Sequence, residues 1–235
     1  MRKRDSSSTN HCSRLRTVVF ISAALVFFAG NAQAQKFSAY GGLGVEYYKA
    51  DGLSNYLSYA APGSMYPGSY TSAIRFMLGG EYDITNDWAI GIEYGYITKS
   101  VTGSNTGYSQ QVSFSYSLPS LTIRRLIMGS GYSLRFGGAF GYHFGSLSTS
   151  SPYSSQSVDY SAKGFGVQLD GSLDTELDPK LYARVGVSAR AEFVGDLKAA
   201  DGGDLTYIDP SSGNSVPVNM HMFGVGLSFG LVYYF

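Results

Sequence analysis

The sequence predicts an all-β chain closing as an eight-stranded antiparallel transmembrane β-barrel, an up-and-down meander with short turns at one end and four longer loops at the other. Three observations predict it. Eight segments after residue 34 alternate large apolar residues with small or polar ones, the period-2 mark of a strand with unlike faces. Their connections run long, short, long, short, long, short, long. Charge is nearly absent from the fatty faces and collects on the thin ones, the polarity of a wall that meets lipid on its outside.

Residues 1–34 read as a cleaved signal peptide and residues 35–235 as the barrel domain. Arg2, Lys3, Arg4, Arg14 and Arg16 precede an apolar run, Thr17 to Gly30, shorter than the ~20 residues of an ordinary membrane-spanning helix. Ala32, Gln33 and Ala34 then form a small-x-small cleavage site that leaves Gln35 first. The one Cys, Cys12, lies before the apolar run, so no disulfide is expected in the exported chain. Five of 17 basic and one of 17 acidic residues lie in the leader, leaving 12 and 16. That acidic balance argues against nucleic acid, whose binders show a basic face. No later segment has 18 consecutive apolar residues, which excludes a helical membrane protein, while Tyr 20, Phe 14 and Gly 30 suit many short strands.

In chain order, the first strand alternates Phe37, Leu43, Val45 and Tyr47 with Ser38, Gly44 and Glu46. Residues 49–71 lose the alternation and read as a loop rich in Ser and Tyr, with Pro62, Gly63, Pro67 and Gly68. The second strand sets Ile74, Phe76, Leu78 and Tyr82 against Arg75, Gly79 and Glu81. Thr85, Asn86 and Asp87 turn it into a third, with Trp88, Ile90, Ile92, Tyr94 and Tyr96 opposite Gly91 and Glu93. Val101 to Gln110 reads as the second loop. In the fourth strand, residues 112–127, the apolar parity changes across Pro119, which predicts a bent strand with a bulge.

After a turn at Met128 to Gly131, the fifth strand sets Leu134, Phe136, Phe140, Tyr142 and Phe144 against Arg135, Gly137 and His143. Leu147 to Ser161 reads as the third loop. The sixth strand puts Phe165, Val167, Leu169 and Leu173 opposite Gln168, Asp170 and Asp174, and Asp178-Pro179 turns it. The seventh puts Leu181, Val185, Val187 and Phe193 opposite Arg184, Arg190 and Glu192. An acidic fourth loop, Gly195 to about Pro217, leads to the last strand, where Phe223, Val225, Leu227, Phe229, Leu231, Tyr233 and Phe235 share one parity.

An even strand count puts both termini of the barrel domain, with the short turns, on the periplasmic side and the long loops outside. Eight strands leave an interior filled by side chains. Arg75, Glu81, Glu93, Arg135, His143, Asp170, Arg184, Arg190 and Glu192 are the interior polar residues. They are expected to pair, because an isolated buried charge is very costly. Arg125 is the exception on a fatty face, near a turn. Tyr47, Tyr82, Trp88, Tyr96, Tyr132, Tyr142 and Tyr233 fit two interfacial girdles.

The ending Ser228, Gly230, Tyr233 and Phe235 resembles the carboxy-terminal signal of bacterial outer-membrane barrels. That resemblance implies recognition by the barrel-assembly machinery. The chain from residue 35 to 235 resembles the small eight-stranded outer-membrane barrels of Gram-negative bacteria, those of the outer membrane protein A, outer membrane protein X and opacity-protein groups. It implies a surface-exposed structural, adhesive or host-interacting component of the outer membrane, with lipid around it. No peptidoglycan-binding domain is expected after the barrel, since the alternation runs to Phe235.

Catalytic and metal readings are weaker. Some similar barrels are lipid A deacylases or acyltransferases, and the deacylase type places its His two residues before a Ser on one strand; His221 precedes Met222 and Phe223, and Ser146 lies three after His143. His143 therefore reads as a hydrogen-bonded interior residue and His221 as an interfacial ring. Asp201, Asp204 and Asp209 lack the spacing of a calcium loop. Gly41, Gly42 and Gly44 have no following helix with which to hold phosphate. No cofactor, metal or catalytic residue is assigned. The expected function is a non-enzymatic outer-membrane protein whose loops serve envelope structure, adhesion or contact with an extracellular partner. The alternative is a narrow channel for small solutes.

Overall fold

The computed structural model describes residues 37–60, 71–105, 108–151 and 154–235. The leader and the cleavage site at Ala32, Ala34 and Gln35 lie outside them. The strands are β1 (Phe37–Lys49), β2 (Ser72–Asp83), β3 (Trp88–Asn105), β4 (Tyr108–Gly129), β5 (Tyr132–Ser151), β6 (Ser154–Asp178) and β7 (Leu181–Val194). Short pieces β8 (Lys198–Ala199), β9 (Thr206–Ile208) and β10 (Ser215–Pro217) precede the last long strand, β11 (Met222–Tyr234). Each long strand pairs antiparallel with its neighbours, and β11 returns to β1 to close an eight-stranded barrel. The seam runs without a register shift from Ser38 opposite Tyr234 to Lys49 opposite Phe223.

The outward faces carry the apolar band. Leu43, Leu78, Ile92, Leu121, Leu169, Val187 and Leu231 are all more than half exposed on the protein surface, the outward apolar band characteristic of a transmembrane barrel. Tyr82, Trp88, Tyr132 and Tyr233 stand outward at the short-turn end, and Tyr47, Tyr96 and Tyr142 towards the other. Arg125 is exposed opposite Trp88, beside a short turn. The turns are tight for local reasons. Thr85 Oγ1 accepts the amides of Asp87 and Trp88 at 3.2 and 3.1 Å, and Gly131 takes a φ of 76° that a side chain would resist.

Four sequence expectations are corrected at the long-loop end. Loops two and three are largely strand: β3 and β4 pair as far as Asn105 and Tyr108, and β5 and β6 as far as Ser151 and Ser154. Hydroxyl-rich sequence reads as loop, but here Ser100 with Ser113 and Ser115 with Ser146 bond across the strands at 2.8 Å. There is no bulge at Pro119. Ser117 opposite Phe144 and Ser120 opposite Gly141 keep one register with β5, and Pro119 itself pairs with Tyr94. What changes across Pro119 is the chemistry of each face. Val112, Phe114, Tyr116 and Leu118 point inward above it, as do Thr122 and Arg124 below it.

Loop one contains helix α1 (Asp51–Ala60). Leu53, Tyr56 and Leu57, at i, i+3 and i+4, lie on its buried face. The acidic loop four hides Leu197, Leu205, Val218 and Met220, while Asp196, Asp201 and Asp204 stay exposed. A relay of backbone bonds, Leu197 to Val218, Leu205 to Leu197 and Val218 to Leu205, folds it inward. These residues join Tyr48, Ile97, Val112, Phe114, Tyr116, Leu118 and Leu147 in one apolar core inside the upper barrel.

Candidate functional site

The lower interior is a ladder of ion pairs, built because inward positions alternate along each strand and their neighbours on the next strand are fixed by register. At the short-turn end Arg135, fully buried, donates from Nε to Asp174 at 2.8 Å and from its other nitrogens to Glu81 and the Tyr234 hydroxyl. Arg184 grips the same Asp174 with two bonds of 2.7 and 2.9 Å. Its guanidinium lies 4.5 Å from the centre of the Tyr40 ring.

The next level is centred on Arg124. It holds Asp170 with bonds of 2.7 and 3.2 Å, reaches Glu93 at 3.0 Å, and also meets Glu81. The Tyr40 hydroxyl accepts from Arg124 at 2.9 Å and donates to Glu93 at 2.8 Å. Room for that ring comes from Gly79, where a Cβ would collide with the Tyr40 Cζ and hydroxyl.

Above it, Arg75 bonds Glu93 at 2.5 Å and Glu46 at 3.1 Å. Arg190 bonds Gln168 at 2.5 Å and lies 3.3 Å from Glu46 and 3.6 Å from Glu192. Shared carboxylates tie the levels together, so Arg75, Arg124, Arg135, Arg184 and Arg190 are interleaved with Glu46, Glu81, Glu93, Asp170, Asp174 and Glu192 in one continuous column. An isolated charge here would carry a heavy desolvation cost.

The top of the column is Glu192, whose Oε2 lies 2.5 Å from His143 Nδ1, while His143 Nε2 lies 3.0 Å from the Ser120 hydroxyl. Gly166 makes space for it; a Cβ there would collide with both Glu192 and His143. The connectivity is that of a nucleophile, base and orienting acid. His143 and Glu192 are nonetheless enclosed between the ion-pair column and the apolar core, with Tyr116 bonded to the Met220 carbonyl above them at 2.8 Å. The Ser partner escapes a search along one strand because it comes from β4 and the His from β5.

The interior residues named from sequence therefore sit as follows. Arg75, Glu81, Glu93, Arg135, His143, Arg184, Arg190 and Glu192 are buried, and Asp170 is half-buried. Sequence reasoning missed Arg124, the most connected of the arginines, because the supposed bulge left its parity unassigned. Tyr40 and Tyr234 lie on inward parities but carry no charge to mark them as partners in an ion-pair network. Ser228 and Gly230 face inward and Tyr233 and Phe235 outward. His221 is exposed, its ring 6.4 Å from that of Phe193. A cavity among Tyr40, Arg75, Glu93, Arg124 and Arg184 measures about 30 Å³, room for about one water. Among the described residues no group of three His, Cys, Asp or Glu side chains is placed to hold a metal.

No protein-family model matches the sequence, and no curated protein matches it. Solved structures do match in fold. The attachment invasion locus protein Ail of Yersinia pestis, in complex with the heparin analogue sucrose octasulfate, is 16% identical, with a TM-score of 0.51 over 86% of this chain and 100% of that one. A major outer membrane protein from Thermus thermophilus is 14% identical, with a TM-score of 0.51 over 85% of this chain and 99% of that one. The fold is that of a bacterial outer-membrane β-barrel.

Proposed function

We propose that the chain is a non-enzymatic outer-membrane protein that presents a raised, hydroxyl-rich β-wall to the outside for attachment or envelope contact. One observation carries this reading. The interior is filled at both levels, by ion pairs below and by an apolar core capped by α1 and loop four above, so what the molecule offers a partner is its outer surface. The Ail likeness supports attachment as the class of function, since that structure's name records attachment and its ligand is a heparin analogue. Replacing the β3–β4 and β5–β6 tips with two-residue turns is expected to abolish binding of expressing cells to a host-cell or matrix surface. Unchanged binding with correctly inserted protein would remove the support for it.

Residues 1–34 are proposed to be removed after export, cleavage following Ala34. Ser228, Gly230, Tyr233 and Phe235 are proposed as the signal read by the assembly machinery. Phe235 also closes the seam, its amide bonded to the Phe37 carbonyl at 3.1 Å and its ring 5.2 Å from that of Phe37. Deleting Phe235 is expected to lower the folded, heat-modifiable form in the outer membrane; unchanged levels would count against it. A channel would need a path past Tyr116, Met220 and the arginine column, and single-channel recording of the refolded protein is expected to show no conductance.

A further inference from the structure

Above the lipid band, the outer face of β4, β5 and β6 forms the floor of a groove of about 610 Å³, walled on one side by the start of loop four. Register fixes its floor. Ser115, Ser146, Ser161 and Lys198 follow one another across β4, β5, β6 and β8 as direct cross-strand neighbours. One step nearer the membrane, Ser117, Phe144 and Lys163 form the next row. The step below that is Tyr142, Phe165 and Phe193, all exposed, with Tyr142 and Phe165 rings 5.1 Å apart. Successive rows are roughly 7 Å apart along the strands and neighbouring strands about 5 Å apart across them. The two ammonium groups thus spring from adjacent rows on adjacent strands, over hydroxyls, with aromatic rings directly beneath.

Lys163 is exposed and makes no ion pair among the described residues. Lys198 lies 3.5 Å from Asp204, but both side chains are at least half exposed, and a pair so solvated holds a lysine only weakly. Asp196 stands at the loop wall, which disfavours a ligand that is anionic all over and suits one with a discrete anionic group beside neutral polar ones. Two amines fit a phosphate monoester. Serine hydroxyls fit the hydroxyls of a sugar. The rings of Phe144, Tyr142 and Phe165 descend into the height at which a lipid's acyl chains begin. A ligand anchored in the outer leaflet arrives at that aromatic edge with its apolar part already at the same height.

We propose that this groove binds the phosphorylated sugar headgroup of an outer-leaflet glycolipid. Lys163 and Lys198 hold the phosphate, Ser146 and Ser161 meet the sugar, and the acyl chains run down over Phe144, Tyr142 and Phe165. The test uses the full chain refolded in neutral-lipid nanodiscs, with three probes: lipid A, its dephosphorylated form, and inorganic phosphate as competitor. Bound glycolipid is counted by native mass spectrometry. Wild type is expected to retain one lipid A, and the K163Q/K198Q double variant to bind about tenfold more weakly, while Lys49→Gln, a change of an exposed lysine outside the groove, leaves binding unaltered.

Equal retention of the dephosphorylated lipid, or wild-type affinity in the double variant, overturns the proposal. Displacement of lipid A by an equal concentration of inorganic phosphate also overturns it, since the site would then be one for a soluble anion. If the double variant fails to show heat-modifiable folding, Ser146→Leu decides instead. It fills the floor while keeping both charges and is expected to release lipid A; retention there overturns the proposal.

Discussion

The lower and upper halves of the barrel share one wall and have opposite polarity. Below the level of Pro119 the outward residues of β4 are Leu121, Ile123 and Ile127, and the inward ones are Thr122 and Arg124. Above it the outward residues are Ser113, Ser115 and Ser117, and the inward ones are Val112, Phe114, Tyr116 and Leu118. The strand does not shift; its surroundings do. Lipid outside the lower half leaves polar side chains only the interior, where they must pair with one another. Water outside the upper half restores the ordinary hydrophobic drive inward. The upper half is thus built like a water-soluble barrel standing on a membrane one. The two should therefore fail differently.

The largest expected effect is in the lower half. Arg135→Leu leaves Glu81 and Asp174 short of a partner, a loss of about 3–5 kcal/mol in the urea unfolding of the detergent-refolded protein, affecting the whole barrel. Phe114→Ala, in the upper core, is expected to cost a comparable ~3–5 kcal/mol locally. Its signature is faster proteolysis of α1 and loop four with gel migration of the folded barrel retained. Loss of folded migration there would break the distinction between halves.

A matched outer-face pair sharpens it. Leu169→Arg, in the lipid band, is expected to cost about 2–4 kcal/mol, whereas Ser148→Arg, on the wet wall, should change unfolding by less than about 0.5 kcal/mol. The smallest effect concerns loop four. The Asp209 carboxyl is held below the usual range by the amide and hydroxyl of Ser211 and the hydroxyl of Ser212. Its contribution to the β9–β10 turn is present above the ordinary carboxylate range and is lost as pH falls through the lowered value. An NMR titration should show its chemical-shift midpoint below that of a free aspartate, and Asp209→Asn should remove the dependence.

The sequence made the lower half legible because lipid imposes a strict alternation on every strand, and one parity carried both fatty outward residues and charged inward ones. The upper half defeated the same rule. Val112, Phe114, Tyr116 and Leu118 look like an outward fatty face unless the edge of the lipid is already known, so the inversion at Pro119 reads as a bulge. Serine-rich wall reads as loop because its cross-strand hydroxyl bonds leave no hydrophobic period. The i, i+3, i+4 spacing of Leu53, Tyr56 and Leu57 was visible and would have found α1. Individual partners such as Arg124 with Asp170 depend on barrel register, which no single strand reports.

The seam has a consequence for the order of events during folding. Hairpins from β1 through β7 join residues near in sequence, but the pairing of Ser38 with Tyr234 joins the two ends of the barrel. Closing so long a loop is entropically the slowest contact to form, and only the complete set of neighbours holds its two edges at the right distance. Each doubling of an intervening connection adds only about 0.6 kcal/mol to that closure. The hairpins above the lipid can therefore lengthen or shorten while the cylinder below keeps one circumference.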